Sequence, residues 1–277
     1  MLLSLTTLIL SRIMALGAQE TSVVAVGARK VEVMQVGVGS PTIVLESGLN
    51  EGAESWRNVM PALGQISHVI AYSRAGLGRS SPGQVPRTPK LIVSELHELL
   101  AVLGEKGPVI LVGHSAGGLI ARLFVSSHPE QVAGLVLADG SYEAQWQRLR
   151  RANPQLALGD TMRASIKNVP NAYRSEPEMF IAIEAKGEVD GLRPLPDLPI
   201  AVLTAVKPCP TQSWSCYDPE AQRLKREWQA EWFARTTNGM HVVSTQTSHD
   251  FVAEEPDVVV SAVRFVMERV RGSARQK

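Results

Sequence analysis

Short apolar runs alternate with longer segments of helical periodicity over most of the chain. Most of the runs carry apolar residues at successive positions, which is typical of strands buried on both faces of a sheet. The runs are KVEVMQVG, PTIVLESG, HVIAYS, PVILVG, VAGLVLAD, LPIAVLTAV and HVVST. Helices are predicted at about 54–63, 90–104, 117–127, 219–235 and 256–271. This order predicts βαβ units and therefore an α/β fold with a mostly parallel sheet covered by helices on both faces.

The pattern changes in two places. The first two runs are separated only by Val38, Gly39 and Ser40, which predicts a β-hairpin. From about 141 to 195 the alternation stops, and a polar, helix-forming stretch follows that is too long for a connecting loop. We therefore expect an inserted helical cap at 141–195, between two parts of one α/β core at 23–140 and 196–272.

Composition limits the classes of protein that this chain can be. The 277 residues are 44% apolar, which is enough for the core of one α/β domain. Lys and Arg number 28 and Asp and Glu 27, without a block of like charge. This balance argues against nucleic acid as a partner.

The first 18 residues predict a signal peptide. An apolar run from Leu2 to Leu10 is followed by Ala15, Gly17 and Ala18, which are small enough for a cleavage site. No Lys or Arg precedes the run, however, so a disordered start is the alternative. The run is too short for a stable membrane span.

Cys209 and Cys216 lie in a loop rich in Pro and Ser and could form a small disulfide hairpin. The alternative is a pair of free thiols, and without a matching histidine pattern a zinc site is not indicated. A disulfide needs an oxidising compartment. Signal peptide and disulfide together predict a secreted or periplasmic protein, and without them a cytoplasmic one.

The pentapeptide Gly113, His114, Ser115, Ala116, Gly117 matches the pattern G-x-S-x-G. In that pattern a sharp turn between a strand and a helix presents a serine hydroxyl. The motif follows the apolar run PVILVG and opens a predicted helix, which is the setting that this turn requires. Ser115 is therefore the candidate nucleophile.

A nucleophilic serine needs a histidine base, and the base needs a carboxylate. Of six histidines, His249 follows the last predicted strand, and loops after parallel strands meet at one edge of the sheet. Asp139 ends the run VAGLVLAD and is the first choice for the acid, and Asp218 is the alternative. The tetrahedral intermediate also needs two donors, for which we select the backbone N–H groups of Leu49 and Ala116.

These segments together resemble the α/β-hydrolase superfamily, in particular its esterase- and lipase-like serine hydrolases, from about 31 to 270. Four segments carry this resemblance. The oxyanion loop looks like VLESGLNEGAESWRNVMPAL, and the loop after strand 4 looks like VIAYSRAGLGRSS. The nucleophile elbow looks like VILVGHSAGGLIAR, and the histidine loop looks like SHDFVAEEPDVVVSAV. The resemblance implies a sheet of the eight-strand type, Ser115 as nucleophile, His249 as base, and Leu49 with Ala116 as oxyanion donors. The acid that is usual after strand 7 is missing here, which leaves Asp139, at a variant position that is similar to that of some superfamily members. Ser73 stands where many relatives have Asp, and Ser47 where many have His; neither change removes a triad member.

The expected activity is cleavage of a small carboxylic ester through an acyl-enzyme, without metal or organic cofactor. The same residues would also serve a lactonase, thioesterase, amidase or C–C hydrolase. A ligand-binding or receptor protein without turnover is the alternative from a different class.

Overall fold

The computed structural model describes residues 19–154, 166, 171–208, 218–234 and 236–274. The strands are β1 (Glu20–Val26), β2 (Arg29–Val36), β3 (Ile43–Glu46), β4 (Val69–Tyr72), β5 (Val109–His114), β6 (Val132–Ala138), β7 (Ile200–Ala205) and β8 (Gly239–Ser244). The α-helices are α1 (Met60–Gly64), α2 (Pro89–Val102), α3 (Ala116–Ser127), α4 (Gln145–Ala152), α5 (Asn171–Lys186), α6 (Pro219–Phe233), α7 (Phe251–Glu254) and α8 (Pro256–Ala274).

The eight strands of the described chain form one sheet in the order β1-β2-β4-β3-β5-β6-β7-β8. β1 and β2 are antiparallel to their neighbours, and all other neighbouring strands are parallel. The predicted α/β fold with a mostly parallel, eight-stranded sheet is confirmed. Because the carboxyl ends of the parallel strands meet at one edge, the loops after β3, β5, β6, β7 and β8 converge there.

Side chains that alternate along the central strands build two hydrophobic clusters, one on each face of the sheet. In β5, Leu111 packs into the cluster of α2, α3 and α5, whereas Ile110 and Val112 pack into the cluster of α1 and α8. All six residues of β5 are buried. The strand that leads to Ser115 is therefore fixed from both sides of the sheet.

The predicted hairpin between the runs KVEVMQVG and PTIVLESG is wrong. β2 instead pairs with β1 across the short turn at Gly27 and with β4 on its other side, so β4 separates β2 from β3. The reason is burial: all four residues of β3 are buried, so β3 needs a neighbour on each side and pairs with β4 and β5. The sequence reading also missed β1 as a strand of its own.

The single helix predicted at 54–63 is divided in the structure. A 3₁₀ turn covers Ala53–Trp56, and α1 begins at Met60 with Pro61 in its first turn. Proline lacks an N–H and fits the start of a helix better than its interior. This explains why a new helix begins there.

Between β6 and β7 the chain carries α4 and α5, in the region where the cap is expected. The predicted signal peptide at 1–18 and the predicted disulfide between Cys209 and Cys216 lie outside the described residues. No helix of the part that the structure describes is long and apolar enough to cross a bilayer.

Candidate active site

Ser115 occupies a sharp turn between β5 and α3. Its backbone has φ 52° and ψ −122°, a conformation that costs energy for a residue with a side chain and that clusters at functional sites. A Cβ at Gly113 would lie 2.7 Å from the carbonyl oxygen of Gly117, and one at Gly117 would lie 2.2 Å from that of Glu46. Only glycine fits at these two positions, which explains the spacing of the motif.

Ser115, His249 and Asp139 form one chain of hydrogen bonds. Ser115 Oγ lies 3.0 Å from His249 Nε2, and His249 Nδ1 lies 2.6 Å from Asp139 Oδ2. With the proton on Nδ1, the imidazole donates to the carboxylate and presents a lone pair to the serine hydroxyl. The imidazole is about half exposed, so a substrate can reach it.

Asp139 is fully buried and has a hydrogen-bond partner on both carboxylate oxygens. Oδ1 accepts from the N–H of Ala205 at 3.1 Å, and Oδ2 accepts from Lys225 Nζ at 2.5 Å as well as from His249. Burial alone would raise the pKa of Asp139, but the Lys225 ammonium and His249 outweigh it and lower that pKa to about 2. The carboxylate is therefore ionised at neutral pH.

Asp218, the alternative acid, lies elsewhere. It is the N-cap of α6, where its side chain accepts from the N–H groups of Glu220 and Ala221 at 2.8 and 3.1 Å. Its contacts are those of a helix cap, and its hydrogen bonds do not reach His249. Of the two candidates, the structure brings Asp139 to the histidine.

The loop after β3 carries Leu49, one of the two predicted oxyanion donors. Glu51 holds this loop, because its Oε2 accepts from the N–H of Gly48 at 3.0 Å and lies 3.3 Å from His114 Nδ1. Burial lowers the pKa of His114 on its own, but the bond to the Glu51 carboxylate outweighs it and raises that pKa. His114 thus links the elbow to the loop that carries Leu49.

Ala116, the other predicted donor, is the first residue of α3. The first N–H groups of a helix have no partner within it. No hydrogen bond within the described chain uses the N–H of Ala116 or of Leu49. Both N–H groups therefore remain candidates for binding an oxyanion.

A cavity of about 200 Å³ opens on the three residues. Its walls come from the elbow, α4, α5 and α6, and its apolar members include Trp146, Leu149 and Trp228. Glu184 of α5 also lines the cavity, and burial raises the pKa of its carboxyl to about 7. A larger cavity of about 530 Å³ lies between Arg122 and Leu192, but neither Ser115 nor His249 contributes to its lining.

The sequence model of the alpha/beta hydrolase fold matches residues 41–182, which is more than half of the chain. The chain belongs to the α/β-hydrolase family. Among solved structures, a serine hydrolase involved in carbazole degradation superimposes on this α/β-hydrolase with a TM-score of 0.64. That match covers 90% of this chain and 98% of the other at 21% identity, so it shows the fold alone.

Two relatives indicate how widely activities vary around this sequence. Lipase LipV of Mycobacterium tuberculosis is 36% identical over 157 residues, which are 56% of this chain and 52% of the lipase. The 2-hydroxy-6-oxo-6-(2'-aminophenyl)hexa-2,4-dienoic acid hydrolase of Metapseudomonas resinovorans is 32% identical over 114 residues, which are 40% of this chain and 39% of that enzyme. The α/β-hydrolase thus spans about half or less of the length of these curated relatives.

The sequence reading missed Arg74, which connects the loop after β3 to α5. Its guanidinium donates to the carbonyl oxygens of Ser47 and Gly48, both at 2.7 Å, and pairs with Glu46 at 2.6 Å and Glu176 at 2.7 Å. Burial would lower the pKa of Arg74, but the two carboxylates outweigh it and keep the guanidinium charged. Arg74 fixes the carbonyls next to Leu49, and no local motif marks an arginine for this task.

Replacing Arg74 with Met should lower the free energy of unfolding by about 3–5 kcal/mol, because Glu46 would remain buried without its partner cation. Urea unfolding followed by circular dichroism measures this loss. The matched control is Arg57→Met, which removes an exposed arginine paired with Glu54 and should leave the unfolding midpoint unchanged. A midpoint equal to that of the wild type in Arg74→Met would contradict the buried ion pair.

Proposed function

We propose that this α/β-hydrolase is a serine hydrolase that cleaves carboxylic esters through an acyl-enzyme intermediate. The observation that carries the proposal is the hydrogen-bonded chain from Ser115 through His249 to the ionised Asp139. A fully connected nucleophile, base and carboxylate at the mouth of a cavity is an arrangement that acyl transfer needs. A protein that only binds a ligand has no need of this hydrogen-bonded chain.

In the proposed reaction, Ser115 Oγ attacks the ester carbonyl while His249 Nε2 takes its proton. Asp139 holds the imidazole through Nδ1 and stabilises the imidazolium that forms. The backbone N–H groups of Leu49 and Ala116 bind the oxyanion. His249 then gives the proton to the leaving alkoxide. In the second half of the reaction, His249 takes a proton from a water molecule that attacks the acyl-enzyme, and it gives this proton to Ser115 Oγ as the carboxylic acid leaves.

The cavity favours short acyl groups. Its volume of about 200 Å³ lies below the range of about 300–1,000 Å³ that is usual for pockets that bury a drug-sized ligand. Trp146, Leu149 and Trp228 give it apolar walls. In our proposal the cap at 141–195 thereby limits the length of the acyl chain through α4 and α5.

A second candidate activity is C–C bond hydrolysis, which the name of the Metapseudomonas relative suggests. Lactones, thioesters and amides could react with the same nucleophile, since each passes through a tetrahedral oxyanion. The small cavity with apolar walls favours a simple ester over the extended acid that the relative's name describes.

A series of p-nitrophenyl esters from acetate to palmitate tests the proposal. We expect kcat/KM for the acetate and butyrate to exceed that for the palmitate by on the order of tenfold or more, because a pocket that fits a short chain excludes a longer one. Release of p-nitrophenolate measures the rates. Absence of hydrolysis of every ester would contradict an esterase, and a preference for palmitate would contradict the role assigned to the cavity.

A further inference from the structure

Lys225 lies beside the candidate catalytic groups, although the mechanism proposed above does not use it. From α6, its Nζ lies 2.5 Å from Asp139 Oδ2 and 3.0 Å from the carbonyl oxygen of Ala205. The same Oδ2 accepts the hydrogen bond from His249 Nδ1. An ammonium and an imidazole therefore share one carboxylate oxygen, and the carboxylate is fully buried.

Contacts other than the one with Lys225 also orient Asp139. Its other oxygen, Oδ1, accepts from the backbone N–H of Ala205 at 3.1 Å, and the strand end after β6 fixes its backbone. What Lys225 adds to these contacts is a positive charge. Its side chain is only 15% exposed, so water screens this charge poorly.

We infer that Lys225 is a positioning residue whose charge partly neutralises Asp139 and so keeps the hydrogen-bonded pair of Asp139 and His249 free of an added proton, and able to act as the base, at lower pH than the pair would be without the lysine. The inference rests on the proposed function, since it assigns Lys225 a part in the activity of Ser115. It goes beyond that function because it predicts the pH range in which the hydrolase works.

The charges determine the direction in which removal of Lys225 moves the pH dependence of activity. A negative Asp139 stabilises the imidazolium form of His249, and a cation on the same oxygen opposes that form. Burial favours a protonated Asp139 and the Lys225 ammonium opposes it, so without Lys225 the hydrogen-bonded pair of Asp139 and His249 takes up a proton at higher pH. A pair that carries this added proton on either group cannot take the proton of Ser115 efficiently, so activity is lost at higher pH as the pH falls.

Other titratable groups also face the pair of His249 and Asp139. They come from the loop after β3, from β5, from the cavity wall and from the histidine loop, and they are Glu51, His114, Glu184 and Asp250. All of them remain in place when only Lys225 is changed. A difference in pH dependence between the wild type and a Lys225 variant therefore measures the effect of the lysine charge.

The experiment compares Lys225→Met and Lys225→Gln, which remove the charge, with Lys225→Arg, which keeps it. In the first two variants the acid limb of the profile of kcat/KM against pH for p-nitrophenyl acetate should move upward by about one pH unit. Lys225→Arg should retain the limb of the wild type. The control Lys186→Met removes an exposed lysine paired with Glu188 and should also leave the limb in place.

A second readout keeps this inference separable from the proposed function. The ring protons of His249, followed by NMR through a pH titration, should change at higher pH in Lys225→Met than in the wild type, whether or not the protein hydrolyses esters. If the wild type cleaves no ester but this shift appears, the proposed function fails and the electrostatic inference stands. The inference would be overturned if the folded variants and the wild type had the same His249 titration and the same acid limb. Loss of the fold in both neutral variants would also overturn it, since Lys225 would then be structural.

Discussion

We expect Asp139→Asn to lower kcat for a short p-nitrophenyl ester by about 10⁴-fold, which is typical when the carboxylate of a Ser-His-Asp triad becomes an amide. Asn lacks the negative charge that stabilises the imidazolium, and its amide group can favour the tautomer that carries its proton on Nε2. In that tautomer, His249 cannot accept the proton of Ser115. Initial rates at saturating ester, with circular dichroism to verify the fold, measure the effect.

Asp218→Asn is the matched control for this loss. Asp218 caps α6, and Asn is an equally good N-cap residue, so both the fold and kcat should remain close to those of the wild type. The opposite pattern, with turnover lost in Asp218→Asn and kept in Asp139→Asn, would show that the acid has been assigned to the wrong residue.

His249→Ala is expected to cost even more, on the order of 10⁶-fold in kcat. Without the imidazole the Ser115 hydroxyl has no base within hydrogen-bond distance, and the leaving alkoxide has no acid. The expected residual rate is that of oxyanion binding and substrate positioning alone. The same ester assay, at enzyme concentrations high enough to detect slow turnover, measures it.

His97→Ala is the corresponding histidine control. His97 stacks on His128 and contacts Gln131, and it contributes nothing to the cavity that opens on Ser115. Turnover should remain close to that of the wild type. If the two histidine variants lose activity to the same extent, the base has been misassigned or the loss reflects folding.

Local chemistry explains why the three residues of the candidate triad could be predicted from the sequence. The spacing of Gly113 and Gly117 around Ser115 reflects steric limits that the five residues carry themselves. His249 and Asp139 follow strands whose carboxyl ends must meet at one edge in a parallel sheet. Their catalytic roles stay predictions until they are measured, but their proximity follows from fold and order alone.

The charged partners around these residues could not be predicted in the same way. Lys225 is 86 residues from Asp139 in the sequence, and Arg74 is 102 residues from Glu176. Each pair depends on how a helix packs on the sheet edge, and an isolated Lys or Arg on a polar helix or loop is more often a solvated side chain. No motif in one sequence distinguishes these two cases.

The strand order was predicted wrongly for a related reason. A hairpin between β2 and β3 agrees with the local sequence, because only Val38, Gly39 and Ser40 separate two β-branched runs. The pairing of the whole sheet excludes this hairpin. β3 is buried throughout and pairs with β4 and β5, so β2 lies on the far side of β4.

The most direct test of the proposed function is covalent labelling of Ser115 by a fluorophosphonate, followed by mass spectrometry of the labelled peptide. We expect stoichiometric modification of Ser115 in the wild type, no modification in Ser115→Ala, and strongly slowed modification in His249→Ala. A wild-type protein that stays unlabelled, or one whose label lies on a residue other than Ser115, would contradict the proposal that this α/β-hydrolase acts through a serine nucleophile.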